Sequence, residues 1–144
     1  MTLPDEDLLD RLEGSWRVTG DVRGSPLSQS IVARRALAGR FVELRVSAGA
    51  PPIDGQPYEA VYFIGISGEG RFVMNLMDVF GAGYSVVPGN GHRELDDIVF
   101  EFAYANGPWT WRWSPSGQGW STTQTYLDAG AERLFATKRM ERIT

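Results

Sequence analysis

The chain has no cysteine in its 144 residues, so disulfides, thiolate metal sites and thiol nucleophiles are excluded together. It has one histidine, His92. A metal site built on it would need partner ligands, and there is no second imidazole or thiolate to supply them. Apolar runs are short, and none approaches the roughly 18 residues that a membrane-spanning helix needs. Positive charge is scarce: 14 Lys and Arg against 18 Asp and Glu leave a net charge of −4, and the pI is about 5.0. The basic residues are dispersed rather than gathered in a stripe, which argues against nucleic acid as a partner. No membrane partner is expected either. The start, Met1-Thr2-Leu3-Pro4-Asp5-Glu6-Asp7, carries acids where a secretory signal has basic residues and then an apolar stretch, which predicts a cytoplasmic protein. Phosphate-binding glycine motifs followed by a helix are absent. The serines of Ser67-Gly68 and Ser116-Gly117 sit in turns without the strand-to-helix elbow of a hydrolase nucleophile.

What the chain does have is a regular supply of breakers. Gly24-Ser25-Pro26, Gly39, the stretch from Gly49 to Pro57, Gly68-Glu69-Gly70, Gly81 to Gly83, Pro88 to Gly91, Asn106-Gly107-Pro108, Pro115-Ser116-Gly117 and Asp128-Ala129-Gly130 divide it. Turn signals at this spacing predict an all-β sandwich or barrel within one domain over residues 1–144. About ten strands are expected: Ser15–Val22, Ser28–Leu37, Phe41–Ala48, Tyr58–Ile66, Arg71–Met77, Gly83–Val87, Ile98–Ala105, Trp109–Ser114, Gly119–Leu127 and Glu132–Arg142. The segment Gly49 to Gly55 is the one long candidate for a lid. Ahead of the strands, Pro4, then Asp5, Glu6 and Asp7, and finally Gly14 mark the start, first turn and stop of a short helix. Its Leu8, Leu9 and Leu12 share a face that is expected to plug a barrel end. Gly14-Ser15-Trp16 follows, suited to a closed barrel with the indole as its floor.

Strand alternation predicts the lining. Trp109, Trp111 and Trp113 fall on one face, as do Trp120, Thr122, Gln124 and Tyr126, and Ile98, Phe100, Phe102 and Tyr104. Tyr58, Ala60, Tyr62 and Ile64 make a fourth inward set, leaving Phe63 outside in need of a cover. The aromatics admit two readings: a filled core, or a concave apolar site with a few placed polar groups. Tyr62, Trp111, Gln124 and Tyr126 are the candidate ligand-lining residues, with Asn75 or Asp78 as a polar anchor. Asp78, between apolar neighbours at a strand end, is either a turn aspartate or a partly buried carboxyl with a raised pKa. Composition places His92 in a surface turn. Glu43 and Arg45 share a face and can pair there, and Arg139 is expected to reach over Trp16 if the last strand closes on the first.

Leu12-Glu13-Gly14-Ser15-Trp16, Leu37-Ala38-Gly39-Arg40-Phe41, Tyr58 to Gly65 and Met77-Asp78-Val79-Phe80-Gly81 together resemble the bacterial lipocalin-like domain family of unknown function in the calycin superfamily. The resemblance implies an antiparallel up-and-down β-barrel of about ten strands, similar to fatty-acid-binding proteins and nitrobindins, around an interior cavity. Nitrobindins ligate haem through a histidine near the C-terminus. This chain has none there, so no haem or other cofactor is expected. Fatty-acid-binding relatives hold a carboxylate with an arginine and a tyrosine on late strands, for which Tyr126 and an inward Arg139 are the counterparts. The expected function is the binding of a small hydrophobic or amphipathic molecule. Two alternatives stay open: an isomerase or hydrolase using Asp78 as acid or base, and an interaction barrel that forms a homodimer through a strand edge or aromatic patch.

Overall fold

The computed structural model describes residues 2–50 and 52–143, without the side chains of 48–50. A short helix, α1 (Asp5–Asp10), precedes β1 (Gly14–Val22), β2 (Ser25–Ala36), β3 (Phe41–Ala50), β4 (Ala60–Gly68) and β5 (Arg71–Asp78). A single helical turn, α2 (Ala82–Ser85), leads to β6 (Gly89–Glu94), β7 (Asp97–Tyr104), β8 (Gly107–Ser116), β9 (Gly119–Asp128) and β10 (Ala131–Arg142). Each strand pairs with its sequence neighbours, and β1 pairs antiparallel with β10 from Trp16 opposite Arg142 to Val22 opposite Ala136. The result is a closed up-and-down barrel of ten antiparallel strands. Closure gives each strand two paired neighbours.

The predicted alternation governs the interior. Leu27, Gln29, Ile31 and Ala33 of β2 are buried and the residues between them are exposed. Trp111, Trp113, Trp120, Phe100, Phe102, Tyr58, Tyr62 and Ile64 all face inward. Phe63, outside, receives the edge of the Phe41 ring, 6.5 Å away. Leu8, Leu9 and Leu12 are fully buried against the end of the barrel where β1 begins. Trp16 floors that end, its indole N–H donating to Leu12 O at 2.9 Å, and the Trp120 N–H donates to Arg11 O at 3.2 Å.

The acids of α1 also fasten it. Arg93 on β6 reaches Asp5 Oδ1 at 3.0 Å and Asp96 Oδ1 at 2.9 Å and also donates to Leu3 O. Arg35 at the end of β2 pairs with Glu6 at 3.2 Å and with Asp10.

Three expectations change. Gly83–Val87 is not a strand; it contains most of α2, and the sixth strand is Gly89–Glu94, the stretch read as a turn. The glycines there serve close packing. A Cβ on Gly89 would lie 2.5 Å from the Phe102 ring, and one on Gly91 2.9 Å from the Phe100 ring. His92 therefore stands on a strand, its Nε2 3.1 Å from Glu94 and its Nδ1 3.8 Å from Glu101. Finally, the arginine over Trp16 is Arg142, 4.4 Å from the ring centroid; Arg139 is exposed on the outer face. The Glu43–Arg45 pair forms at 3.1 Å.

Candidate functional site

The barrel end opposite α1 opens into a cavity of about 250 Å³. Its rim comes from the ends of β1, β5 and β7, the start of β2 and the segment around Ile53 and Asp54. The expected lid over Gly49 to Gly55 is reduced to its second half: β3 continues to Ala50, Pro51 lies outside the described residues, and Ile53 and Gln56 bridge to close a tight turn. Asp54 at its tip pairs with Arg23 at 3.0 Å, and the Arg23 guanidinium lies 5.1 Å from the Phe135 ring centroid.

Aromatic rings build the walls. Trp109 stacks on Tyr126, with centroids 5.0 Å apart, and receives Phe135 edge-on at 4.8 Å. Tyr104 stacks on Phe102 at 5.5 Å and meets Tyr84 edge-on at 5.4 Å. Tyr62 packs edge-on against Trp111 at 5.3 Å beneath the cavity.

Two polar arrangements interrupt these walls. In the first, the Tyr58 hydroxyl donates to Asp78 Oδ2 at 3.2 Å and shares a 3.2 Å hydrogen bond with the Tyr62 hydroxyl. Asp78 Oδ1 accepts from the Phe80 N–H at 2.9 Å, so the residue is both a turn cap and part of the cavity wall. Desolvation raises the Asp78 pKa against the pull of those two hydrogen bonds. Burial likewise lifts Tyr58 and Tyr62 well above the ordinary phenol range, and Tyr104 to about 12.

In the second arrangement, Lys138 of β10 projects into the cavity, its Nζ 5.2 Å from the Trp111 ring centroid and 5.9 Å from that of Tyr58. It makes no ion pair among the described residues. Burial alone pushes its pKa down to about 8. Gln124, one strand over, also lines the cavity, and its Oε1 is buried without a hydrogen-bond partner. The indole N–H of Trp111, opposite Gln124 in the β8–β9 register, is unpartnered as well.

Of the residues expected from sequence, Asp78 and Gln124 line the cavity. Tyr62 and Trp111 lie under it and support the groups that do. Tyr126 stacks on Trp109 from the neighbouring strand. Asn75 is a correction: Phe72, Met74 and Leu76 take the inward positions of β5, so Asn75 is exposed on the outer face opposite Phe63. The outward Arg139 also leaves Tyr126 without the arginine partner the resemblance implied. Sequence reasoning missed Lys138 and Tyr58. A signal for the first was present: Lys138 is the only lysine among the 14 basic residues of the chain.

No protein-family model matches the chain, and no curated protein matches it. Among solved structures it is similar to the S-type phycobiliprotein lyase CPES from Guillardia theta, with a TM-score of 0.64 and 13% identity. The match covers 99% of this chain and 94% of that one. The likeness is one of fold alone, and the fold of this chain is the closed ten-stranded barrel.

Proposed function

We propose that the barrel binds one small amphipathic molecule in the cavity at its open end. The observation that carries this reading is the cavity's composition: aromatic walls enclose a lysine without an ion pair and a glutamine oxygen without a hydrogen-bond partner. A side-chain-filled core has no use for such groups, because each costs desolvation that the protein's own contacts return only in part. Apolar walls with a few convergent polar atoms are the usual make-up of a ligand site. The volume sets the scale. At about 250 Å³ the cavity lies just below the ~300–1,000 Å³ of drug-sized sites, which favours a ligand smaller than the bilin that likeness to a phycobiliprotein lyase brings to mind.

Thermal unfolding in the presence of straight-chain alkanols and alkanoates of about six to ten carbons tests this. A saturable rise in Tm is expected, corresponding to about 2.7 kcal/mol at a hundredfold excess over Kd. Leu27→Phe, which fills the cavity wall, should abolish it. No rise with any member of the series would remove the reading. The raised pKa of Asp78 and its place in the wall favour a second reading, acid or base catalysis on the bound molecule. That reading requires turnover lost in Asp78→Asn while binding persists.

A further inference from the structure

Arginine serves at thirteen of the fourteen basic positions of this chain, and it makes the ion pairs that hold α1, the hairpins and the rim. The one lysine is placed where none of those roles applies. It lies inside the cavity, over the faces of Trp111 and Tyr58 and away from any paired carboxylate among the described residues. Arginine would satisfy charge and stacking at least as well, being larger, planar and more weakly hydrated. What arginine cannot do is release its proton and act as a nucleophile. An amine desolvated in an apolar site is the usual way in which proteins prepare a lysine for attack on a carbonyl.

We propose that Lys138 captures a small aldehyde or ketone reversibly as a Schiff base, which makes the ligand class of this cavity a carbonyl compound with an apolar tail. This rests on the ligand-binding reading above and specifies its polar end. The neutral amine adds its lone pair to the carbonyl carbon, the C=O π electrons pass to oxygen, and one proton moves from nitrogen to that oxygen to give the carbinolamine. The C–O bond then breaks as the nitrogen lone pair forms C=N, and the oxygen leaves as water with one further proton, balanced by loss of the second N–H proton. The net change is carbonyl plus amine to imine plus water, with no oxidant or reductant.

The residues for each step share the cavity. Burial leaves about a tenth of Lys138 neutral at pH 7, against a few parts in ten thousand at the ordinary lysine value. Gln124 Oε1, which has no partner of its own, is the acceptor available for the carbinolamine hydroxyl. Asp78 is the carboxyl in the same wall, its pKa raised by desolvation and its oxygens accepting from the Tyr58 hydroxyl and the Phe80 N–H. The aromatic walls take the apolar tail and exclude the bulk water that would hydrolyse the imine.

The sequence makes the test unusually clean, since the amines are Lys138 and the α-amino group alone. Hexanal is added with sodium cyanoborohydride at pH 7, and adducts are located and timed by intact-mass and peptide mass spectrometry. Hexan-1-ol, which lacks the carbonyl, serves as a competitor. In the folded protein, reductive alkylation at Lys138 should saturate with hexanal, slow in the presence of hexanol, and run at least tenfold faster than in the urea-unfolded chain. Lys138→Arg and Lys138→Met should leave only the α-amino adduct. Alkylation of Lys138 no faster than in urea overturns the proposal, and if hexanol still raises the Tm, ligand binding stands without it. Failure of hexanol and hexanal alike to raise the Tm or to saturate removes both.

Discussion

Lys138 is held at about pKa 8 by burial, whereas the unfolded chain keeps that proton to about 10.5. Between these values the unfolded state binds more protons, so stability rises with pH across the window and the full cost of the buried charge persists below it. Such a gap is worth at most about 3 kcal/mol at 1.36 kcal/mol per pKa unit, and the two ring faces return part of it. Lys138→Met, with similar volume and no charge, should therefore stabilise the protein by about 1–2 kcal/mol at pH 7. The gain should shrink toward pH 10, as read by urea unfolding at both values. Burial raises Tyr58, Tyr62 and Tyr104 above the ordinary phenol value of 10.0. A substitution that stabilises while abolishing carbonyl capture would mark a residue kept for function at a cost in stability. Alternation on single strands was enough to place Trp111, Gln124 and Tyr62 inside. It could not pair Tyr58 with Asp78, because their 3.2 Å contact joins residues twenty apart. Asn75 and Asp78 show the limit from the other side. The strand runs Phe72-Val73-Met74-Asn75-Leu76-Met77, apolar on both faces, so its pattern did not say which of the two anchors pointed inward.

At the level of elements, β6 is the instructive case. Gly89 and Gly91 look like turn residues in a sequence, yet both lie on the inner face of a strand beneath the Phe102 and Phe100 rings. Two glycines on one strand make room for two phenylalanines on the next, a complementarity visible only once Gly89 is set opposite Phe102 and Gly91 opposite Phe100. Gly91→Ala would put a methyl group 2.9 Å from the Phe100 ring and 3.0 Å from Phe72 Cβ. Overpacking of that kind should cost about 1–3 kcal/mol, measured by urea unfolding, and Gly89→Ala should do the same. Helix α1 was readable for the opposite reason: Leu8, Leu9 and Leu12 carry a helical period and have one barrel end to cover. With six residues it has little stability of its own, so its position depends on side chains such as Arg93. Arg93→Ala removes the ties to Leu3, Asp5 and Asp96 together. Amide exchange should then accelerate across α1, with much less change in β8 and β9.

For the whole molecule, closure divides the interior into a plugged end and an open one, and the cavity lies at the second. The fold was legible because a meander of ten strands needs only local turns and alternation to be inferred. The cavity was not, because its rim gathers residues from Val22 to Lys138 and its size depends on how their side chains fit. Across the mouth, the one ion pair among the described residues that joins two rim loops is Arg23 with Asp54, linking the β1–β2 turn to the tight turn at Ile53–Gln56. Both side chains are more than half exposed, so the pair is worth about 0.2–1 kcal/mol. It touches the entrance rather than the deeper polar groups, so that energy belongs to opening and closing more than to the bound state. Asp54→Asn should raise the on-rate and off-rate of hexan-1-ol together by about 1.4- to 5-fold, the kinetic equivalent of that energy. Kd should stay within a factor of about two. Stopped-flow tryptophan fluorescence reads both rates, with Trp109 in the cavity wall as the reporter, and 1 M salt should bring the wild-type rates up to those of the variant by screening the same pair. A change in Kd with no change in on-rate would place Asp54 in the binding site itself and remove its role as a latch.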